Sequence, residues 1–308
     1  MKRTFSTFLV LVAFAAATAI GPSATGDLVG HWRFDERAGL LAADELGLNH
    51  GTLLGGAQFA PGEGVDGGAI RLSRSTNGIV DIGPAFGFTG QQPFTISAWV
   101  KFEFPGQTTP ESFIVGRHRS TIVAGYILSV GVSGGAYGAP GKAWLYQSNS
   151  PGGEPVSTTS VNDGDWHHVV GVHNENSLTL IYVDGAPAEG TKGSLPIAPI
   201  GVSTLIGGIH SAGGVPVGFF DGLIDDVQMY DHALDCRSVE RLFKHPGQPI
   251  STKSADLDGD GIVDGADLGA LLNAWGPCAE VAGCAADLDC NGVVDGADLG
   301  LLLNEWTI

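Results

Sequence analysis

The densest set of chemically capable residues lies at the C-terminal end of the 308-residue chain. Asp256, Asp258, Asp260, Asp264 and Asp267 occupy positions 1, 3, 5, 9 and 12 of one stretch, and Asp287, Asp289, Asn291, Asp295 and Asp298 occupy the same positions of a second. Glycine stands at position 6 of each (Gly261, Gly292). A hard cation wants about six to eight oxygen ligands, and this spacing wraps a short loop around one. The carbonyls of Ile262 and Val293, at position 7, would complete each set. The pattern therefore predicts two Ca2+ sites. Without the cation, five side-chain oxygens per loop repel one another, so folding of this segment is expected to depend on metal.

Each loop is followed by an apolar period of helical type: Leu268, Leu271, Leu272 and Trp275, then Leu299, Leu302, Leu303 and Trp306. Position 12 falls in the first helical turn, where Asp267 and Asp298 complement the helix dipole. The acidity is concentrated here. The whole chain has 33 Asp+Glu against 15 Lys+Arg, a formal charge of −18. Residues 256–308 carry 11 of the acids and no base, so the preceding 255 residues are close to balanced. A nucleic-acid partner is excluded, because no basic surface is available to displace counterions.

Upstream, short alternating runs are bounded by Gly, Pro, Asn or Asp. Phe94–Phe102 places Phe94, Ile96, Ala98, Val100 and Phe102 on one face. Leu178–Val183 is followed by the hairpin signal Asp184-Gly185. Runs at 126–130, 166–172, 204–206 and 223–230 read the same way, with one helix at 238–243. Many short strands separated by turns indicate a β-sandwich or barrel. Residues 246–254, with Pro246, Gly247, Pro249, Ser251 and Ser254, read as a linker. Lys2 and Arg3 precede an apolar run ending at Ile20, with small residues at Ala17 and Ala19. This is the layout of a signal peptide over residues 1–19, so a secreted or cell-surface protein with no transmembrane segment is expected. In that oxidising compartment the four cysteines suggest disulfides. Cys278–Cys284 is the most economical pair, leaving Cys236 and Cys290 to pair with each other or stay reduced.

Two resemblances emerge from these residues. Gly30-His31-Trp32-Arg33-Phe34-Asp35-Glu36, Asn49-His50-Gly51-Thr52-Leu53, Phe94–Phe102, Asp165-Trp166-His167-His168-Val169, Tyr182-Val183-Asp184-Gly185 and Gly222–Tyr230 occur in the order of a LamG-like domain. The LamG-like domain belongs to the concanavalin A-like jelly-roll superfamily. It implies two packed antiparallel sheets over residues 27–245 and binding of a carbohydrate or protein ligand without catalysis. It also implies a possible further Ca2+, with Asp44, Asn49 and Asp225 as candidate ligands beside the alternative of turn-capping by Asp44 and Asn49. Residues 255–308 resemble a type I dockerin: two loop-helix repeats with Asp, not Glu, at position 12 and no helix before each loop. That resemblance implies docking to a cohesin-like protein. Partner-contacting positions 10 and 11 would be Gly265-Ala266 and Gly296-Ala297, which depart from the usual Ser-Thr.

No catalytic signature in the sequence is complete. Jelly-roll glycosidases carry paired carboxylates on one strand face, whereas Asp225 and Asp226 are adjacent and no Glu-x-Asp-x-x-Glu pattern occurs. Gly62–Gly67 fits a dinucleotide fingerprint, but Ala69–Leu72 after it reads as a strand. Gly131–Gly135 fits a nucleophile elbow but precedes a loop. His167 and His168 alternate in direction on a strand and cannot serve one site. Trp99, Trp144, Tyr137 and Tyr146 could stack on sugar rings, with core packing the default. The expectation is a mainly β jelly-roll sandwich plus a small C-terminal α domain with two calcium loop-helix repeats. The function expected is a non-catalytic carbohydrate-binding protein. An adhesion protein that binds a protein ligand is the alternative, and a polysaccharide-degrading glycosidase a third.

Overall fold

The structure is a computed structural model that describes residues 28–103, 112–119, 124–131, 140–147, 155–174, 178–187, 192–193, 196–250, 255–258, 260–278, 284–289 and 291–307. The expected signal peptide, Tyr137, Cys290, most of the 131–135 motif and linker residues 251–254 lie outside the described residues. Two sheets dominate. A nine-stranded sheet runs Ala186–Pro187, Leu178–Val183, His167–His173, Phe94–Phe102, Gly222–Tyr230, Ile70–Leu72, Gln58–Phe59, with Leu28–Trp32 and Lys192–Gly193 joined at its flanks. An eight-stranded sheet runs Val156–Ser160, Lys142–Gln147, Gly125–Val130, Ser112–His118, Thr204–Ile206, Ile79–Gly83, Gly51–Leu54, Leu41–Ala42. Paired strands within both are antiparallel.

Alternation places the core. Phe94, Ile96, Ala98, Val100 and Phe102 all enter the main cluster between the sheets, together with Ile70, Leu72, Tyr126, Leu128 and Leu145. The Asp184-Gly185 turn has φ of 54° and 78°, the left-handed pair that a two-residue hairpin requires. The opposite face of Phe94–Phe102 is buried too. Ser97 Oγ is 2.8 Å from His168 Nε2, and Trp99 stacks on Phe243 of helix α1 (Cys236–Lys244) at 5.7 Å between centroids. Helix α1 is N-capped by Asp235, whose side chain accepts the Ser238 amide, and it buries Val239 and Leu242 against Val170, Tyr182 and Tyr230.

Strict alternation fails at Asp225-Asp226. A bulge lies between Asp225 and Gln228, and Asp226 has a φ of 44°. Asp226 accepts from Gln228 Nε2 (2.8 Å) and the Gly247 amide (2.7 Å), and its Oδ1 is 2.7 Å from His31 Nε2. Tyr230 donates to Gln228 (2.5 Å) and accepts the Ile250 amide (3.1 Å). This buried chain pins the start of the expected linker to the sandwich.

In the tail, helices α2 (Gly265–Asn273) and α3 (Gly296–Asn304) each begin at position 10 of their loop. They share a small core of Leu271, Leu302, Val263, Val294, Ala286 and Leu288. The expected apolar stripes are only partly buried: Leu272, Leu303 and Trp275 are half-exposed (52%, 52% and 50%). Two nine-residue helices have too little mutual surface to cover a full stripe. Cys278 and Cys284 are disulfide-bonded. Cys236 is disulfide-bonded as well, to a partner outside the described residues. No described helix is long and apolar enough to cross a membrane.

Candidate functional site

The two acidic loops fold alike. Position 12 is the organiser: Asp267 Oδ1 accepts the amides of Leu257 (2.7 Å) and Asp258 (3.2 Å), and Oδ2 accepts that of Asp264 (2.8 Å). Asp298 accepts from Leu288 (2.6 Å), Asp289 (3.1 Å) and Asp295 (2.7 Å) in the same way. Asp264 and Asp295, at position 9, are the helix N-caps and form capping boxes with Asp267 and Asp298. Gly261 and Gly292 both sit at φ 87°, a conformation a side chain resists. Their amides donate to position 1, Asp256 (2.9 Å) and Asp287 (3.0 Å). The amides of Ile262 and Val293 donate to position 5, Asp260 and Asn291, each at 2.8 Å.

One ligand atom each from Asp256, Asp258 and Asp260 lies within 4.8 Å of the others, and so do atoms from Asp287, Asp289 and Asp298. The residues therefore fit a hard divalent cation: three carboxylates in each loop bring an oxygen within reach of one ion. The like charges oppose one another. Asp258 accepts the Asp260 amide, which favours its anion, yet the charges of Asp260, Asp267 and Asp256 lift its carboxyl above the ordinary value. Burial, opposed by the Asn291 amide, and the charges of Asp298 and Asp287 raise Asp289. Burial would raise Asp267, but the amides of Asp264, Leu257 and Asp258 hold it low.

In the sandwich, a cleft of about 420 Å3 opens on the outer face of the nine-stranded sheet, lined by Glu63, Arg71, Lys101, Glu103 and Leu223 among others. Register explains it. Leu223 pairs with Arg71 on one side and Lys101 on the other, while their strand neighbours Ile70, Leu72, Val100, Phe102 and Ile224 point into the core. Arg71 is held by Glu63 and Glu103. The Lys101 ammonium makes no ion pair among the described residues. Trp166 packs against Leu223, Ala60 and Ala69. The sequence signal for this cleft was a single charge inside each of two apolar runs, Ile70-Arg71-Leu72 and Val100-Lys101-Phe102. Sequence reasoning passed over it.

Other expected residues take framework positions. Asp44 accepts four amides, from His31 (3.0 Å), Leu46 (3.2 Å), Leu48 (3.2 Å) and Asn49 (2.9 Å), which is turn-capping. The Asn49 carbonyl accepts the Trp32 indole N–H at 3.1 Å. Asp225 accepts the amides of Val65 (2.8 Å), Asp66 (3.3 Å) and Asp226 (2.7 Å). Burial pushes its carboxyl up to about 7 against the pull of those amides. The Gly62–Gly67 loop thus presents its amides to Asp225, and a strand follows it. Trp99 lies under α1. Trp144 and Tyr146 (2% and 8% exposed) pack with Phe113 and Ile127 beneath Ile209 and Val217. None of the three is an open stacking platform. His167 is bracketed by Asp184 (Nδ1, 2.8 Å) and Asp163 (Nε2, 3.0 Å), which push it up to about 8; full burial pushes His168 down to about 4.

Residues 74–240 match the model of a family described as the concanavalin A-like lectin/glucanases superfamily. Among solved structures, the chain is similar to domain 4 of AbnA, a GH43 extracellular arabinanase from Geobacillus stearothermophilus, in complex with arabinotriose. The TM-score is 0.53 at 20% identity, covering 70% of this chain and 98% of that one. It is also similar to the binding domain of Paraclostridial Mosquitocidal Protein 1, with a TM-score of 0.50 at 18% identity, covering 70% of this chain and 51% of that one. The binding domain of botulinum neurotoxin serotype G matches with a TM-score of 0.50 at 12% identity, covering 71% and 51%. At these identities the likeness is one of fold. No curated protein matches the chain in sequence.

Proposed function

The chain belongs to the concanavalin A-like lectin/glucanases superfamily, and on that premise we propose that it is an exported, non-catalytic binding protein. Its sandwich recognises carbohydrate, and its tail, a dockerin-like module folded on two Ca2+ ions, attaches it to a cohesin-like partner or a cell surface. The observation that carries the carbohydrate half is the cleft beside Lys101. A sugar presents hydroxyls and an apolar ring face. Lys101, Arg71, Glu63 and Glu103 supply donors and acceptors around an apolar floor at Leu223, within the volume range of small-ligand sites. The fold relative solved with arabinotriose supports a short oligosaccharide as the first probe.

Glu63 and Glu103 do not suit hydrolysis. Acid and base or nucleophile must flank the scissile bond, whereas both of these carboxylates engage one guanidinium. In the tail, the convergence of oxygens in both loops supports Ca2+, with Asp256, Asp258, Asp260, Asp264, Asp267 and the Ile262 carbonyl in one set. Asp287, Asp289, Asn291, Asp295, Asp298 and the Val293 carbonyl form the other. Gly265-Ala266 and Gly296-Ala297 are exposed in the first turns of α2 and α3, where a docking partner would meet them.

The full chain is tested on an oligosaccharide panel that includes arabinotriose, with Lys101→Ala as the control. Binding that Lys101→Ala weakens at least tenfold supports the reading. An empty panel sinks the carbohydrate half, and released product sinks the non-catalytic half. Calcium-dependent capture by cohesin modules tests the anchor; capture that persists in chelator would count against it.

A further inference from the structure

The two loops share one ligand pattern but not one set of restraints. Loop 2 is cross-linked at its entrance. The Cys278–Cys284 disulfide closes the chain immediately before Asp287; the Cys284 carbonyl accepts the Asp287 amide (3.1 Å), and the Cys278 amide donates to the Gly292 carbonyl (2.8 Å). Cys278 Sγ lies 3.6 Å from Asp287 Oδ2. Gly276–Pro277 pairs with Val293–Val294 as a two-stranded ribbon across the same loop. The sandwich also touches this loop. Cys236, disulfide-bonded at the head of α1, places its Sγ 4.0 Å from the Leu288 carbonyl, between Asp287 and Asp289.

Loop 1 has no cysteine. The last residues of the chain clasp it without covalent help: Thr307 donates to the Val263 carbonyl (2.9 Å), the Val263 amide donates to Thr307 Oγ1 (3.2 Å), and the Ala255 amide donates to Glu305 (3.0 Å). Exposure follows the restraint. Leu288 is 1% exposed, whereas its counterpart Leu257 is only half-buried.

Resting on the calcium reading above, we propose that the two loops load unequally: the Cys278–Cys284 disulfide and the Gly276–Pro277 ribbon hold loop 2 in its cation-ready shape, so it takes Ca2+ first and tightly. Loop 1 closes second, when binding must also order its clasp. A cross-link removes open conformations of a loop, so binding no longer has to order them. Cys278 and Cys284, which have no counterpart before loop 1, then have one purpose: they make two similar sites sequential.

Calcium-stripped full-length protein is titrated with CaCl2 by calorimetry. The expected result is two steps separated by about tenfold or more in Kd, given the typical effect of a cross-link. Asp287→Asn abolishes the tighter step and Asp256→Asn the weaker. Replacing both Cys278 and Cys284 by Ser brings the steps together. As a check that needs no variant, hydrogen exchange in chelator is expected to protect the amides of Leu288 and Gly292 more than those of Leu257 and Gly261. Two equal steps in the disulfide-intact protein, or a tighter step lost in Asp256→Asn, overturns the proposal while leaving the calcium reading standing. Absence of calcium uptake altogether overturns both.

Discussion

Several ionisable side chains in the sandwich have their state set by one or two neighbours. His167 sits between two carboxylates, hydrogen-bonded by Asp184 against the opposing effect of burial and then by Asp163, and is pushed up to about 8. A base whose pKa is raised on folding stabilises the fold fully below its unfolded value, about 6.5, and loses that contribution as pH rises through about 8. An NMR titration of the ring is expected to give a midpoint near 8, moving down in Asp184→Asn. A midpoint at or below 6.5 in the unmodified protein would refute the ion-pair geometry. Asp44 matters as a structural anchor. Its four amide bonds make Asp44→Ala cost about 2–4 kcal/mol in urea unfolding, since hydrogen bonds to a charged group are the stronger kind. Asp44→Asn keeps one acceptor oxygen and is expected to lose less.

Among the elements, the strand Phe94–Phe102 carries the most. Its even-numbered residues build the core, as alternation requires. The other face, with Thr95, Ser97 and Trp99, is covered by α1 through Trp99, His168 and Phe243. Phe243→Ala is therefore expected to cost about 1–3 kcal/mol and to raise hydrogen exchange across residues 236–244 of α1. Unchanged stability would mean that the stack contributes nothing. The row from Arg71 through Leu223 to Lys101 is likewise a property of three paired strands and not of any one. Each strand read alone shows a lone charge or an apolar residue; only the register brings them to one cleft.

At the scale of the whole chain, the tail core of Leu271, Leu302, Val263 and Val294 is separate from the apolar clusters of the sandwich. Removing Ca2+ is expected to lower the melting transition of the tail and leave the sandwich transition in place. Calorimetric scans with and without chelator check this: loss of both transitions together would show that the two cores fold as one unit. The sequence made the loops, both α2 and α3, most long strands, the Asp184-Gly185 hairpin and the Cys278–Cys284 pair legible. All of these rest on local spacing, such as glycine where φ must be positive or a period of two or of 3.6.

What the sequence determined by itself was the repeated oxygen spacing of the tail, the alternating strands of the sandwich and the division between them, because each is written in residues close together along the chain. The tertiary structure alone decided which aromatic residues are covered, that Asp44 and Asp225 spend their oxygens on amides, that a bulge turns Asp226 toward His31 and Gly247, and that Arg71 and Lys101 flank Leu223. Those outcomes depend on register and on contacts between segments far apart in the chain, 195 positions in the case of His31 and Asp226. A one-residue shift in register would send each strand's side chains to the other face, and no local pattern specifies the partner strand across so long a separation.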